Sequence, residues 1–298
     1  MTAVLKLCGI SRQAHFQSML RSLKEAEKAV LYIRMMEQAR EIHPGMGLRT
    51  MYEMLHPEGI GRDAFIALGL QEGFRLKNVE KQTRTTYSVK SNRYSNLLGE
   101  IEFTDINQLW SSDITYFLCQ YQFFYIVFIM DVYSRRILGF NVADNMRAEN
   151  NVAALQMALK TRSIKKYQQQ LIHHSDKGGQ YVSDVYTQLL EEYEIRISMC
   201  NEVYENTHIE RVNDTIKNQY LNRMEINSRQ ELNERLGEAI KAYNESRPHQ
   251  SLKMLSPVQY ENRLIHIEKE KRNKMTIYTV KTNPGESAHT QLNLFEKL

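Results

Sequence analysis

The stretch from Phe123 to Asp131 is apolar and aromatic without a break up to Met130, and it stands between two further β-forming stretches, Gln108 to Gln120 and Arg136 to Val142. Trp, Ile, Thr, Tyr and Phe crowd the first of these, a composition that suits a pleated surface. Only Gln120-Tyr121-Gln122 and Tyr133-Ser134-Arg135 connect the three. Connections that short imply antiparallel neighbours. The apolar run is also far too short to cross a bilayer.

After this meander the period changes. Asn145 to Ser163 reads as a helix with Ala148, Val152, Leu155 and Leu159 along one face, and a buried strand at Leu171 to Ser175, a helix at Ser183 to Glu194 and a strand at Ile195 to Met199 follow. Strand-helix-strand units build parallel pairs. The order therefore predicts an α/β fold, a ribonuclease H-like mixed five-stranded sheet flanked by helices. A last amphipathic helix runs from Ser228, capped by Glu231, through Leu232, Leu236, Ile240 and Tyr243 to a stop at Arg247-Pro248.

Upstream, Ser22 to Ile42 has a helical pattern with Ser22 and Glu25 as a capping box, and His43-Pro44-Gly45 ends it. Short helices at Gly47 to Leu55 and Arg62 to Leu70 surround the Pro57 to Gly61 turn. This is a helix-turn-helix candidate, with Arg49 and Arg62 as DNA-facing cations, although a plain helical hairpin has the same pattern. The expected organisation is a helical DNA-binding domain over 1–74, a basic linker over 75–97, a catalytic core over 98–262 and a basic, partly mobile tail over 263–298.

The net charge is +4, but residues 1–97 carry +6 and the remainder −2. In the linker, Arg75, Lys77, Lys81, Arg84, Lys90 and Arg93 face only Glu80. Such a connector suits a phosphate backbone, or is simply solvated. Cys8, Cys119 and Cys200 are too scattered for a disulfide framework or a zinc site. The amino terminus lacks a signal-peptide layout, so a cytoplasmic protein is expected.

Chemistry concentrates at Leu171 to Tyr181, where an apolar entry runs into His173-His174-Ser175-Asp176 and a Gly-Gly break. In open α/β sheets ligands gather at the carboxyl ends of strands, where Asp176 falls. Asp113 lies in a strand upstream, and Glu210 opens a helical pattern downstream. Three carboxylates from three elements suit hard cations, and two Mg²⁺ ions about 3.5 to 4 Å apart can hold both oxygens of a phosphoryl displacement. Each has a plainer reading: Asp113 and Asp176 as turn formers, Glu210 as a capping partner of Thr207. Glu202 and Glu205 compete for the third place, Asp131 reads as a turn residue, and His173 and His174 as space-filling.

Trp110 to Tyr116, Met130 to Phe140, His174 to Tyr181 and Tyr243 to Leu252 together resemble, in the same order, the motifs of retroviral-integrase-like DDE transposases. Leu255 to Tyr260 and His43 to Arg49 are similar to segments of the OrfB products of two-frame bacterial insertion sequences, so the resemblance covers about 40–262. It implies an enzyme that cleaves element ends with water and joins the freed 3′-hydroxyl to another phosphodiester, using two Mg²⁺ or Mn²⁺ ions held by Asp113, Asp176 and Glu210. It also implies double-stranded DNA at element ends and target as partner, Lys217 as an end-binding residue, a homo-oligomer on DNA, an OrfA product or an OrfA-OrfB fusion, and a bacterial cytoplasm with nucleoid association. A nuclease of the same fold without strand transfer and a non-catalytic DNA-binding regulator are the alternatives. The interval from Asp176 to Glu210 is two residues shorter than the family usually keeps, a difference assigned to the loop at Asn201 to Val203.

Overall fold

The structure, a computed structural model, describes residue 9 and residues 11–79, 93–99, 101–164, 171–201 and 203–277. Among the described residues three helices come first: α1 (Arg12–Ile42), α2 (Leu48–Leu55) and α3 (Arg62–Gln71). The larger body contains β1 (Glu102–Phe103), β2 (Leu109–Cys119), β3 (Gln122–Asp131), β4 (Ile137–Ala143), α4 (Ala148–Arg162), β5 (Ile172–Ser175), α5 (Asp184–Glu192) and β6 (Arg196–Met199). It closes with α6 (Thr207–Gln219), α7 (Arg229–Glu245), α8 (Pro257–Leu264) and β7 (Met275–Thr276).

The main sheet has five strands in the order β4-β3-β2-β5-β6. β4, β3 and β2 pair antiparallel, and β2, β5 and β6 pair parallel. That is the mixed ribonuclease H-like arrangement expected from the order of elements. Because side chains alternate along a strand, β3 feeds two cores. Phe124, Ile126, Phe128 and Met130 pack with Ile209, Val212 and Ile216 of α6 and with Leu232, Leu236 and Ile240 of α7. Val127 and Ile129 turn the other way, onto Ala154, Leu155, Ala158 and Leu159 of α4. Gly139 permits this second layer, since a β-carbon there would run into the carbonyl oxygen of Ala154.

The sequence reading began the first helix too late. α1 starts at Arg12 with Ser11 as N-cap, its side chain accepting from the Ala14 N–H. No helix breaker separates Arg12 from Ser22, so nothing stops the helix from extending back. α8 was not foreseen as a helix, although Ser256, Pro257 and Gln259 supply a capping box with proline in the first turn. β1 and β7 were also missed; two residues each are too few to leave a periodic signal.

The start of the basic tail is held against the core. β7 pairs with β1, Arg272 forms an ion pair with Asp105, and Tyr133 donates to the Asn273 carbonyl at 2.9 Å. The tail's expected mobile end near Pro284 lies outside the described residues.

α1, α2 and α3 share a small core of Tyr32, Met36, Met46, Leu48, Met51 and Phe65. This module docks on the body through His43, whose Nδ1 lies 2.7 Å from the Tyr220 hydroxyl and Nε2 2.9 Å from Ser246 Oγ. Gly45 presses against the Gln219 backbone at the end of α6, where a β-carbon would not fit.

Candidate active site

β2 and β5 run parallel, with Ser111 opposite His174. Two residues further along each strand direction, Asp113 and Asp176 come side by side at the carboxyl end of the short strand β5. Asp176 follows β5 directly, and its Oδ1 accepts from the Gly178 N–H at 3.0 Å. β5 ends there, so beyond Ser111 the edge of β2 loses its parallel partner. α6 lies against that part of β2, and its first turn presents Glu210 on the exposed side.

Two asparagines set α6 in place. Asn206, just before the helix, hydrogen-bonds Ser111 Oγ and donates to the Ser112 carbonyl at 3.2 Å, anchoring the helix start one residue short of Asp113. Asn213, one turn beyond Glu210, donates from Nδ2 to Asp113 Oδ2 at 2.7 Å. Its own Oδ1 is buried without a partner among the described residues. The sequence reading missed both residues. For Asn213 the available signal was spacing, since a residue three beyond Glu210 shares its side of the helix.

The rival acids are placed elsewhere. Glu205 is buried and accepts from the Asn201 N–H at 2.6 Å; Glu202 lies outside the described residues. Asp131 is 0% exposed and serves its turn, accepting from the Ser134 N–H at 2.9 Å and from the Asn107 N–H at 2.7 Å. His173 meets the Tyr186 hydroxyl at 2.8 Å. His174 bridges Ser198 Oγ and Cys200 Sγ at 2.9 and 3.0 Å. Burial holds both imidazoles neutral, with pKa values lowered to about 3 and about 4.

The electrostatics follow from two half-buried acids, Asp113 and Asp176, and an exposed third, Glu210. Asp113 is pushed up to about 8, first by burial, then by the charge of Asp176, with a smaller contribution from Glu210. Burial raises Asp176 and Glu210 as well. A carboxylate whose proton affinity is raised by burial and by two neighbouring acids is a place that a cation would complete. Among the described residues no group of three or more His, Cys, Asp and Glu side chains stands placed to hold a metal ion. The donor chemistry nonetheless fits a hard divalent cation: all oxygen, no sulfur, and one member, Glu210, exposed to solvent.

Between β2 and α6 a cavity of about 310 Å³ opens beside Asp113 and Glu210, lined further by Tyr116, Asn213, Lys217 and Asn218. The Lys217 ammonium stands 4.4 Å from the Tyr116 ring centroid, a cation–π contact. Burial lowers its pKa, with Asp214 opposing.

The other expected DNA contacts are dispersed. Arg49 and Arg62 are exposed on α2 and α3, with Arg62 paired to Asp63 at 2.9 Å. Arg75 and Lys77 are exposed beside Arg40 and Arg223 at the seam between the helical module and α6. Arg93 is engaged within the chain, by Asp184 at 3.4 Å and the Val182 carbonyl at 3.1 Å. Lys81, Arg84 and Lys90 lie outside the described residues. No helix among the described residues is long and apolar enough to cross a membrane.

Comparison with known families finds an integrase core domain at residues 104–203 and a second integrase core domain pattern at 192–257. The insertion element IS600 uncharacterized 31 kDa protein of Shigella sonnei is 32% identical over 221 residues, covering 72% of this chain and 80% of that protein. Transposase InsF for insertion sequence IS3A of Escherichia coli strain K12 is 31% identical over 198 residues, 65% of this chain and 68% of that protein. Among solved structures, the HTLV-2 integrase catalytic core domain in complex with magnesium aligns with a TM-score of 0.43 at 17% identity, covering 52% of this chain and 97% of that one.

Proposed function

The chain belongs to the IS3-type transposases with an integrase-like core, and from that membership we propose that Asp113, Asp176 and Glu210 carry its chemistry. It is a DNA transposase, an enzyme of the DDE class that uses a divalent metal, binds DNA and works as an oligomer. The finer reading is that the three carboxylates hold two Mg²⁺ ions, that an element end is cleaved to a 3′-hydroxyl, and that this hydroxyl then attacks a target phosphodiester. The observation carrying it is the register that sets Asp113 beside Asp176, with Glu210 facing them from α6.

When bound, the cations would supply Lewis-acid stabilisation of the phosphoryl group and activation of the attacking oxygen. The chain's own residues prepare the place. Asn213 orients the Asp113 carboxylate; Gly178 does the same for Asp176 through its N–H. Lys217, beside Tyr116 at the cavity wall, holds a positive charge where a DNA strand would enter. Arg49 and Arg62 of the 1–74 module, together with the 75–97 linker, would track phosphates further out. The 98–262 core would hold the reaction, with the 263–298 tail following it. An OrfA product or an OrfA-OrfB fusion is the proposed partner in end recognition.

The test uses the full chain, a pre-cut duplex with a free 3′-hydroxyl, and Mg²⁺. Joined product is expected for the wild type. D113N, D176N and E210Q should each reduce joining at least ~10³-fold while leaving duplex affinity within a few-fold. Cleavage with no joined product would instead identify a nuclease, and full joining by all three variants would overturn the site assignment.

A further inference from the structure

Between β3 and β4 the chain turns through Val132 to Arg135, and Arg135 adopts a backbone φ of 63°. That left-handed region costs a residue with a side chain roughly 1 kcal/mol or more, and turns usually place Gly or Asn there. The cation that this turn carries is directed inward. Among the described residues its Nη1 is buried without a hydrogen-bond partner, and Nη2 reaches only Met275 Sδ at 4.0 Å. Asp131 attracts it, while Arg211 of α6 repels it. Asp131 is already committed to Ser134, to the Asn107 N–H and to Arg162 at 3.6 Å.

A guanidinium taken from water without an anion is strongly unfavourable. It opens onto a cavity of about 350 Å³ whose wall includes Tyr133, Ser251, Tyr260, Asn273 and Lys274. Lys274 pairs with Glu102 at 2.7 Å, whereas Ser251 and Asn273 are exposed at the mouth. Two residues before Ser251 in the chain, the His249 Nε2 is a second buried nitrogen without a partner among the described residues, in the field of Arg247 and then of Arg135. The cavity wall thus carries Arg135 and Lys274 beside the Ser251 hydroxyl and the Asn273 amide, and the acid that attracts Arg135 is spoken for. None of these groups takes part in the chemistry assigned to Asp113, Asp176 and Glu210.

We propose that this cavity is a phosphate-binding site in which Arg135 receives the anion, with the Ser251 hydroxyl and the Asn273 amide completing the contact. The planar fork of an arginine matches two oxygens of such a group. Two sources share the chemistry: a backbone phosphodiester of bound DNA, and free inorganic phosphate. The DNA source rests on the transposase reading; the phosphate chemistry stands without it.

The first arm of the test is thermal melting of the full chain against inorganic phosphate at constant ionic strength set with chloride. The wild type should gain ~2–4 °C at saturation, Arg135→Gln nothing, and Arg135→Lys less than half. In phosphate-free buffer Arg135→Gln should melt no lower than the wild type, because it removes an uncompensated charge. The second arm measures affinity for a short duplex across a salt series. If the anion is a DNA phosphate, Arg135→Gln should weaken binding ~10-fold and flatten the salt slope by ~1; unchanged duplex affinity alongside a phosphate-dependent rise would assign the site to the free anion. Two results overturn the proposal. One is the absence of any phosphate-dependent rise in the wild type with duplex affinity equal in all three proteins. The other is a structural outcome, in which both variants melt several degrees lower without phosphate yet keep the full rise with it. Loss of DNA joining for other reasons would leave the melting arm untouched.

Discussion

Asp113 cannot hold its charge cheaply where it stands, with burial and two acids acting against it. Its pKa moves from 3.8 in the unfolded chain to about 8 in the folded one, so the folded chain binds this proton more tightly. The stability it contributes is therefore full below about pH 4 and is lost as pH rises toward 8. In chelator-treated protein, D113N should melt several degrees above the wild type at pH 8, and the difference should shrink as the pH falls toward 4; differential scanning calorimetry at both pH values checks this. Equal melting temperatures at pH 8 would mean that Asp113 is not under the strain described. Asn213 acts on the same carboxylate. N213A removes the donor at 2.7 Å and should lower the joining rate ~10- to 100-fold, the range typical of residues that orient metal ligands, with duplex affinity unchanged in the same assay. Asp113, Asp176 and Glu210 could be singled out in the sequence because each is a carboxylate placed in or at the end of a separate element, two strands and the start of a helix. Asn206 and Asn213 could not, because an asparagine's role depends on which oxygen it meets across a hundred residues of chain.

At the scale of elements, local signals carried the core and failed where contacts are distant. The Phe123–Asp131 run, the short turns around it and the helical period after Asn145 predicted β2, β3, β4 and α4 to within a residue or two at most ends. The helix at Ser228 begins where its cap suggested, with Ser228 accepting from the Glu231 N–H at 3.1 Å. α8 shows the limit. Its eight residues are held by Glu261, buried at 7% exposure between Arg136 at 2.6 Å and Arg162, which also bears on Asp131. This ion network ties α8 to the β3–β4 turn and to the end of α4, and no window of sequence reveals it. Removing the central carboxylate leaves Arg136 without its acid and Arg162 with only the longer contact to Asp131. E261A should therefore destabilise the chain by ~3–5 kcal/mol, read as a shift of the urea midpoint at unchanged m-value. A loss under ~1 kcal/mol would show that solvent reaches the network freely.

For the molecule as a whole, the question is whether the helical module and the catalytic body act as one piece. The contact is narrow and built from the chain break His43-Pro44-Gly45. His43 is buried between Tyr220 and Ser246, and burial, then the charge of Arg247, lower its pKa to about 4. A lowered imidazole pKa makes this contact fully stabilising above about pH 6.5 and progressively lost as pH falls toward 4. Gly45 allows no β-carbon against Gln219, so G45V should push the module off the end of α6 while each part keeps its own core. Calorimetry should then resolve two transitions where the wild type shows one, and small-angle scattering should report a larger radius of gyration. The joining assay separates the consequences. If the module only adds phosphate contacts, G45V should weaken duplex binding and leave the rate at saturating DNA unchanged. If docking also steadies α6, the rate itself should fall, because Gln219 and Tyr220 end the helix whose first turn bears Glu210. A single transition at the wild-type temperature would show that the seam yields without cost and that the module is not rigidly attached.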